Sequence, residues 1–159
     1  MRDAFEAGSK SLPIRRRRVV VLAFPGVNLL DISGPAEVFS CLEEIRGEAA
    51  YSVNVASTTD DLRVRTSSGI AVAADHEASL VCEPPRTLVV PGGAGVWEAS
   101  RDPKTIDLVR RLAGLADRVA SVCTGTFLLA AAGLLDGLRA TTHWRWCERL
   151  REEYPAVTV

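Results

Sequence analysis

Continuously apolar runs of strand length, separated by segments with helical spacing, constrain this chain more than any other feature. Val19-Val20-Val21-Leu22-Ala23-Phe24 and Leu88-Val89-Val90 offer no polar residue to either side of an extended chain, and Arg118-Val119-Ala120-Ser121-Val122 reads as a third, shorter strand. A strand with one wet face alternates apolar and polar residues; one that is apolar throughout is covered on both faces, which is the condition of a parallel sheet between helices. The remaining segments fit that alternation. Helices are predicted over Pro35 to Ile45, from Asp102-Pro103 onward, over Thr126 to Ala132 ending at Gly133, and over Trp144 to Glu153; further strands over Tyr51 to Ala56, Thr87 to Val90 and, briefly, Ala140 to Thr142. Asp102 suits a helix cap and Pro103 the first helical position, where its missing N–H costs little. Residues 62 to 75 read as an antiparallel edge hairpin. The fold expected is α/β, a doubly wound, mostly parallel sheet with helices on both faces and right-handed crossovers.

With 159 residues, 47% of them hydrophobic, the chain has material for one domain with its own core. A net charge of -1 leaves no global footprint for nucleic acid or an anionic membrane, despite the local Arg15 to Arg18 run. The apolar run after those arginines is broken by Pro25-Gly26, so no export signal is read, and nothing approaches the roughly 18 apolar residues that span a bilayer. Cys41, Cys82, Cys123 and Cys147 show no paired or repeated spacing, which points to a reducing cytoplasm, with no metal and no cofactor expected. Residues 1 to 14 are expected to form a flexible tail, and residues 15 to 159 the domain.

In such a sheet the ligand site lies beyond the carboxyl ends of the strands, where Pro25 to Asp31, Pro91 to Gly95 and Ser121 to Gly125 converge. The last of these is the reactive candidate. Cys123 stands between a strand and a helix, where a tight turn exposes its side chain and the helix N-terminus favours thiolate over thiol. A nucleophile needs a proton acceptor and oxyanion donors. The amides of Gly92, Gly93 and Thr124 are candidate donors, with Gly125 letting the helix pass close behind, and His143 is a candidate base. Asp31, an acid inside an apolar loop, is equally suited to a site role or to capping a helix that begins near Pro35. His143 has the alternative of a packed, hydrogen-bonded core histidine, whereas Trp144 and Trp146 read as packing residues and His76 as part of a surface turn.

Several separated motifs together resemble the PfpI-type branch of the class I glutamine amidotransferase-like superfamily: Val20 to Gly26, Leu30 to Phe39, Val90-Pro91-Gly92-Gly93, Ser121-Val122-Cys123-Thr124-Gly125 and Ala140-Thr141-Thr142-His143-Trp144. Gly34-Pro35-Ala36-Glu37-Val38-Phe39 and Leu129 to Gly137 are similar, more narrowly, to the amino-terminal domain of AraC-type transcriptional regulators. The resemblance implies a flavodoxin-like sheet, Cys123 at the elbow, Asp31 approaching the thiol with Thr124 and His143 nearby, and Gly92, Gly93, Thr124 and Gly125 around an unknown small-molecule ligand. It implies a homodimer, and DNA contact only through a carboxyl-terminal helix-turn-helix domain not present here. Thr124 stands where the family's proteases place histidine, so peptidase activity is not expected. Isonitrile hydratases share Asp31, Cys123-Thr124-Gly125 and Thr141-Thr142-His143, which makes a cysteine-dependent hydratase the rival reading, and a redox or stress-response role the third. The family's last strand and closing helix are expected to be missing after Val159.

Overall fold

The computed structural model describes residues 17–46 and 50–159, so the tail expected over residues 1 to 14 lies outside the described residues. The central sheet is built from β1 (Arg17–Ala23), β2 (Tyr51–Ser57), β5 (His76–Glu77), β6 (Thr87–Val90) and β7 (Val119–Ser121), in the order β5-β2-β1-β6-β7. Every pairing in it is parallel. β1 lies at the centre, and Val19 to Ala23 are wholly buried, as a strand apolar on both faces must be. The chain leaves β1 through α1 (Leu29–Arg46) toward β2, and leaves β6 in the opposite sense through α2 (Val96–Ala99) and α3 (Pro103–Leu115) toward β7. Right-handed crossovers in opposite senses place α1 and α3 on opposite faces, giving the doubly wound arrangement. After β7 come α4 (Gly125–Ala131), a 3-10 turn at Trp144–Trp146 and α5 (Cys147–Glu153).

The hairpin expected within residues 62 to 75 is present as β3 (Arg63–Arg65) against β4 (Ala71–Ala73), a separate antiparallel pair. It leans on the end of β1: Gly26 donates its N–H to the Arg65 carbonyl at 2.8 Å and Ser67 to the Val27 carbonyl at 2.8 Å. His76 belongs to β5 at the sheet edge rather than to a surface turn, pairing with Ala56 of β2.

Two elements differ from the sequence reading in ways that shape the site. α1 begins at Leu29, well before Pro35, which sits inside the helix. Asn28 starts it: its Oδ1 accepts the Leu30 N–H at 3.0 Å and its carbonyl accepts the Asp31 N–H at 3.1 Å. Asp31 is therefore a first-turn residue rather than the cap of a later helix. Ala140 to Thr142 is no strand; only an isolated bridge pairs Arg139 with Thr158. Ala140 donates its N–H to the Thr158 carbonyl at 2.9 Å within that bridge, while the Thr141 carbonyl accepts the Thr126 hydroxyl at 2.7 Å and the Thr142 hydroxyl donates to the Cys123 carbonyl at 3.0 Å.

Asp102 caps α3 as expected, with Pro103 at its first turn and the Asp102 carboxylate accepting the Thr105 N–H at 3.0 Å. Thr105 and Lys104 hydrogen bonds hold that carboxyl below its ordinary value. A group with a depressed folded value stabilises above its unfolded value and loses that contribution as pH falls through the folded one. Asp102→Ala accordingly lowers the urea midpoint at pH 7, and the gap to the wild-type protein narrows on acidification below about pH 4; a gap that widens in acid contradicts the capping role.

Candidate functional site

Cys123 is the one non-glycine among the described residues with positive φ, at 55°. Such a conformation costs on the order of 1–3 kcal/mol and persists only where its surroundings fix it. Three contacts do so. The Gly125 N–H donates to the Val122 carbonyl at 2.9 Å, the Val122 N–H to the Val90 carbonyl at 3.0 Å, and Thr142 holds the Cys123 carbonyl. Gly125 is required because a Cβ there would overlap the Val90 and Pro91 carbonyl oxygens, so α4 rides directly over the end of β6. The turn is the elbow that the sequence pattern predicts, and it presents the sulfur beyond the carboxyl ends of β6 and β7.

Asp31 reaches the same point from the first turn of α1. It is 7% exposed, accepts the Gly92 N–H at 3.0 Å, and is hydrogen-bonded to Cys123. Thr124 contacts the sulfur through both its N–H and its hydroxyl, while its Oγ1 accepts the Gly93 N–H at 3.1 Å. A Cβ on Gly92 would stand 2.5 Å from the Thr124 nitrogen, so the approach of these loops also depends on a missing side chain. Asp31, Gly92, Gly93, Cys123 and Thr124 thus form one connected knot. His143 lies at the edge of the cleft beside it, with its Nδ1 accepting the Arg145 N–H at 3.3 Å.

The electrostatics differ from the sequence expectation. Burial pushes the Cys123 thiol up, the Asp31 charge adds to that push, and the Thr124 N–H and hydroxyl pull back without reversing it. Burial also pushes the Asp31 carboxyl up, against the Gly92 amide, the Cys123 hydrogen bond and His143. A thiol and a carboxyl in contact titrate as a pair. The start of α4 favours thiolate locally, whereas desolvation and the neighbouring acid act in the other direction.

The glycine amides are also differently employed. Gly92 N–H is given to Asp31 and Gly93 N–H to the Thr124 hydroxyl, so both brace the knot from within. The open side of the sulfur faces a cleft of about 330 Å³ whose walls include Asn28, Ser67, Trp97, His143 and Trp146. The sequence reading missed Ser67 and Trp97, and reached Asn28 only as part of the Pro25 to Asp31 loop. Asn28 carries a helix-start signal just ahead of Leu29-Leu30, whereas Ser67 arrives through the hairpin and has no local signature. Trp144, read as a packing residue, is 81% exposed; Trp146 packs against Trp97 with ring centroids 5.0 Å apart. Among the described residues no group of His, Cys, Asp or Glu side chains is arranged to hold a metal ion, and no helix is long and apolar enough to cross a membrane.

The DJ-1/PfpI family profile matches residues 17–158. This chain belongs to the DJ-1/PfpI family. It is 48% identical over 139 residues to a Streptomyces lividans protein described as the uncharacterized protein in the cpoL 5′ region, covering 87% of this chain and 96% of that one. It is 37% identical over 129 residues to the isonitrile hydratase of Pseudomonas putida, covering 81% of this chain and 53% of the enzyme. The HTH-type transcriptional regulator GbdR of Pseudomonas aeruginosa is 25% identical over 142 residues, covering 87% of this chain and 37% of the regulator. The chain therefore spans about half of the hydratase and less of the regulator, whose amino-terminal DJ-1/PfpI domain it matches. Among solved structures, a ThiJ/PfpI family protein from Pseudomonas syringae superimposes with a TM-score of 0.79 at 26% identity, covering 100% of this chain and 63% of that one. The flavodoxin-like DJ-1/PfpI fold expected from the motifs is the fold observed.

Proposed function

We propose that this chain is a ligand-sensing DJ-1/PfpI domain of the kind found in AraC-type transcriptional regulators, acting as a cytoplasmic homodimer, with DNA contact made by a separate helix-turn-helix domain. The observation that carries this reading is the commitment of the two glycine amides beside the sulfur. Acyl-transfer-type catalysis needs free donors aimed at a developing oxyanion. Here the Gly92 and Gly93 amides are held by Asp31 and Thr124, while an open cleft remains to bind a small molecule.

The contact of Cys123 with both Asp31 and Thr124, together with the 37% identity to an isonitrile hydratase, favours a second reading. In it the thiol adds to the terminal isonitrile carbon, forming the S–C bond while the proton passes to that carbon. Water then adds to the resulting thioimidate, the S–C bond breaks, and an N-substituted formamide leaves as the thiol regains its proton; Asp31 would carry the proton in both steps.

Incubation with cyclohexyl isocyanide, followed by chromatography for N-cyclohexylformamide, separates the two. The sensing reading expects no product above buffer, and expects deletion of the gene in its host to change transcript levels in a way the wild-type gene restores. Formamide production that Cys123→Ser abolishes overturns it in favour of the hydratase. Analytical ultracentrifugation checks the dimer.

A further inference from the structure

We propose that the Cys123 cleft selects small neutral molecules that present a hydrogen-bond acceptor, such as a carbonyl, on a flat apolar body; this rests on the reading of that cleft as a ligand site. Two side chains of its polar rim, Asn28 and His143, have only donors left to offer, while the Ser67 hydroxyl can donate as well as accept. Asn28 spends its Oδ1 on the Leu30 N–H, so the group it can offer the cleft is the Nδ2 amide. His143 spends its Nδ1 on the Arg145 N–H, which leaves Nε2 to carry the proton and donate. A ligand meeting both must accept.

The wall also carries the Trp97 and Trp146 rings, and protein cations already lie against both. The Arg149 guanidinium lies 4.0 Å from the Trp97 ring centroid and 5.7 Å from that of Trp146, and Arg145 lies 5.7 Å from Trp146. Trp97 also meets Phe127 edge-on at 4.9 Å, so the ring is held from several sides. A cationic ligand would meet the same rings with protein cations already on them, and it would bring no acceptor. An anion would accept, but it would enter beside the buried acid Asp31 and the sulfur it contacts. A neutral acceptor on a planar apolar group satisfies the donors and the ring wall without either conflict.

The test uses three probes with one body: benzamide, benzoate and benzyltrimethylammonium. Protection of Cys123 from iodoacetamide is read by peptide mass spectrometry, with the exposed Cys41 and Cys82 as internal references. Benzamide is expected to slow labelling of Cys123 alone, at concentrations about tenfold below those at which the other two act. Asn28→Asp keeps the oxygen that caps α1 but removes the donor, so it should weaken benzamide protection about tenfold with little change in the unfolding midpoint. Trp97→Phe retains an aromatic wall and should keep the order of preference. Equal or better protection by the cation or the anion, or an Asn28→Asp protein that protects as wild type, overturns the ligand class and leaves the site reading standing. Failure of all three probes to protect Cys123 overturns both.

Discussion

Gly125→Ala is expected to destabilise the protein by about 3 kcal/mol or more, while the same change at Gly114 is expected to stabilise it by about 0.5 kcal/mol. Intrinsic preference alone would have both substitutions stabilise, because alanine is the better helix former and both glycines lie in helices. Space reverses the sign at Gly125. A Cβ there overlaps the Val90 and Pro91 carbonyl oxygens, which are backbone atoms at the end of a central strand and cannot rotate aside. Relief requires α4 to lift from β6 or the Cys123 turn to open, and either motion disturbs a wholly buried region containing Leu88, Val90 and Leu128. Nothing lies within 4 Å of a Cβ at Gly114, so only the helical preference acts. Urea unfolding of the two variants beside wild type measures both signs, and a Gly125→Ala midpoint within error of wild type would show that the elbow is not held by this contact.

The strands were legible because their burial is written locally. Val19 to Ala23 are apolar on both faces, and a strand so composed has nowhere to go except between two helical layers. The elbow was legible for the same reason: Ser121 to Gly125 couples the end of such a strand to a run of small helical residues. The start of α1 was not, because Gly34-Pro35 imitates a helix beginning and masks the cap at Asn28, well ahead of the proline. The difference matters for the site, since the earlier start leaves Asp31 its site role and takes away its alternative as a cap. The bracing role of the two glycine amides was hidden for a related reason. That Gly92 and Gly93 have amides available at a strand end is a local fact; that Asp31 and Thr124 take them is a fact of loops brought together by the sheet. Ala140 to Thr142 has strand composition, yet the hydrogen bonds of Thr141 and Thr142 serve the elbow, where Thr126 and Cys123 take them up.

The charge state of the sulfur is where local and tertiary physics disagree most, and Asp31→Asn tests which prevails. In the wild-type protein burial and the Asp31 charge both raise the thiol, so slow alkylation at pH 7 is the expected result. Asparagine keeps the shape and can still accept the Gly92 N–H, but it carries no charge at any pH. Removing the charge lowers the thiol value, which moves the alkylation profile of Cys123 to lower pH and makes labelling at pH 7 several-fold faster. The same substitution acts on stability with a defined sign. Asp31 has its folded value raised above the ordinary 3.8, so its favourable contribution is complete below that value and is lost as pH rises through the raised one. The Asp31→Asn protein should therefore fall short of wild type in acid and equal or exceed it at pH 7, where wild type must keep a charge in a buried site. Iodoacetamide labelling rates across pH 6 to 10, with urea midpoints at both ends of the acid range, read the two effects separately. A labelling profile that moves upward instead would mean that Asp31 holds the shared proton and donates it to a thiolate, and the sulfur would then be the ionised member of the pair at neutral pH.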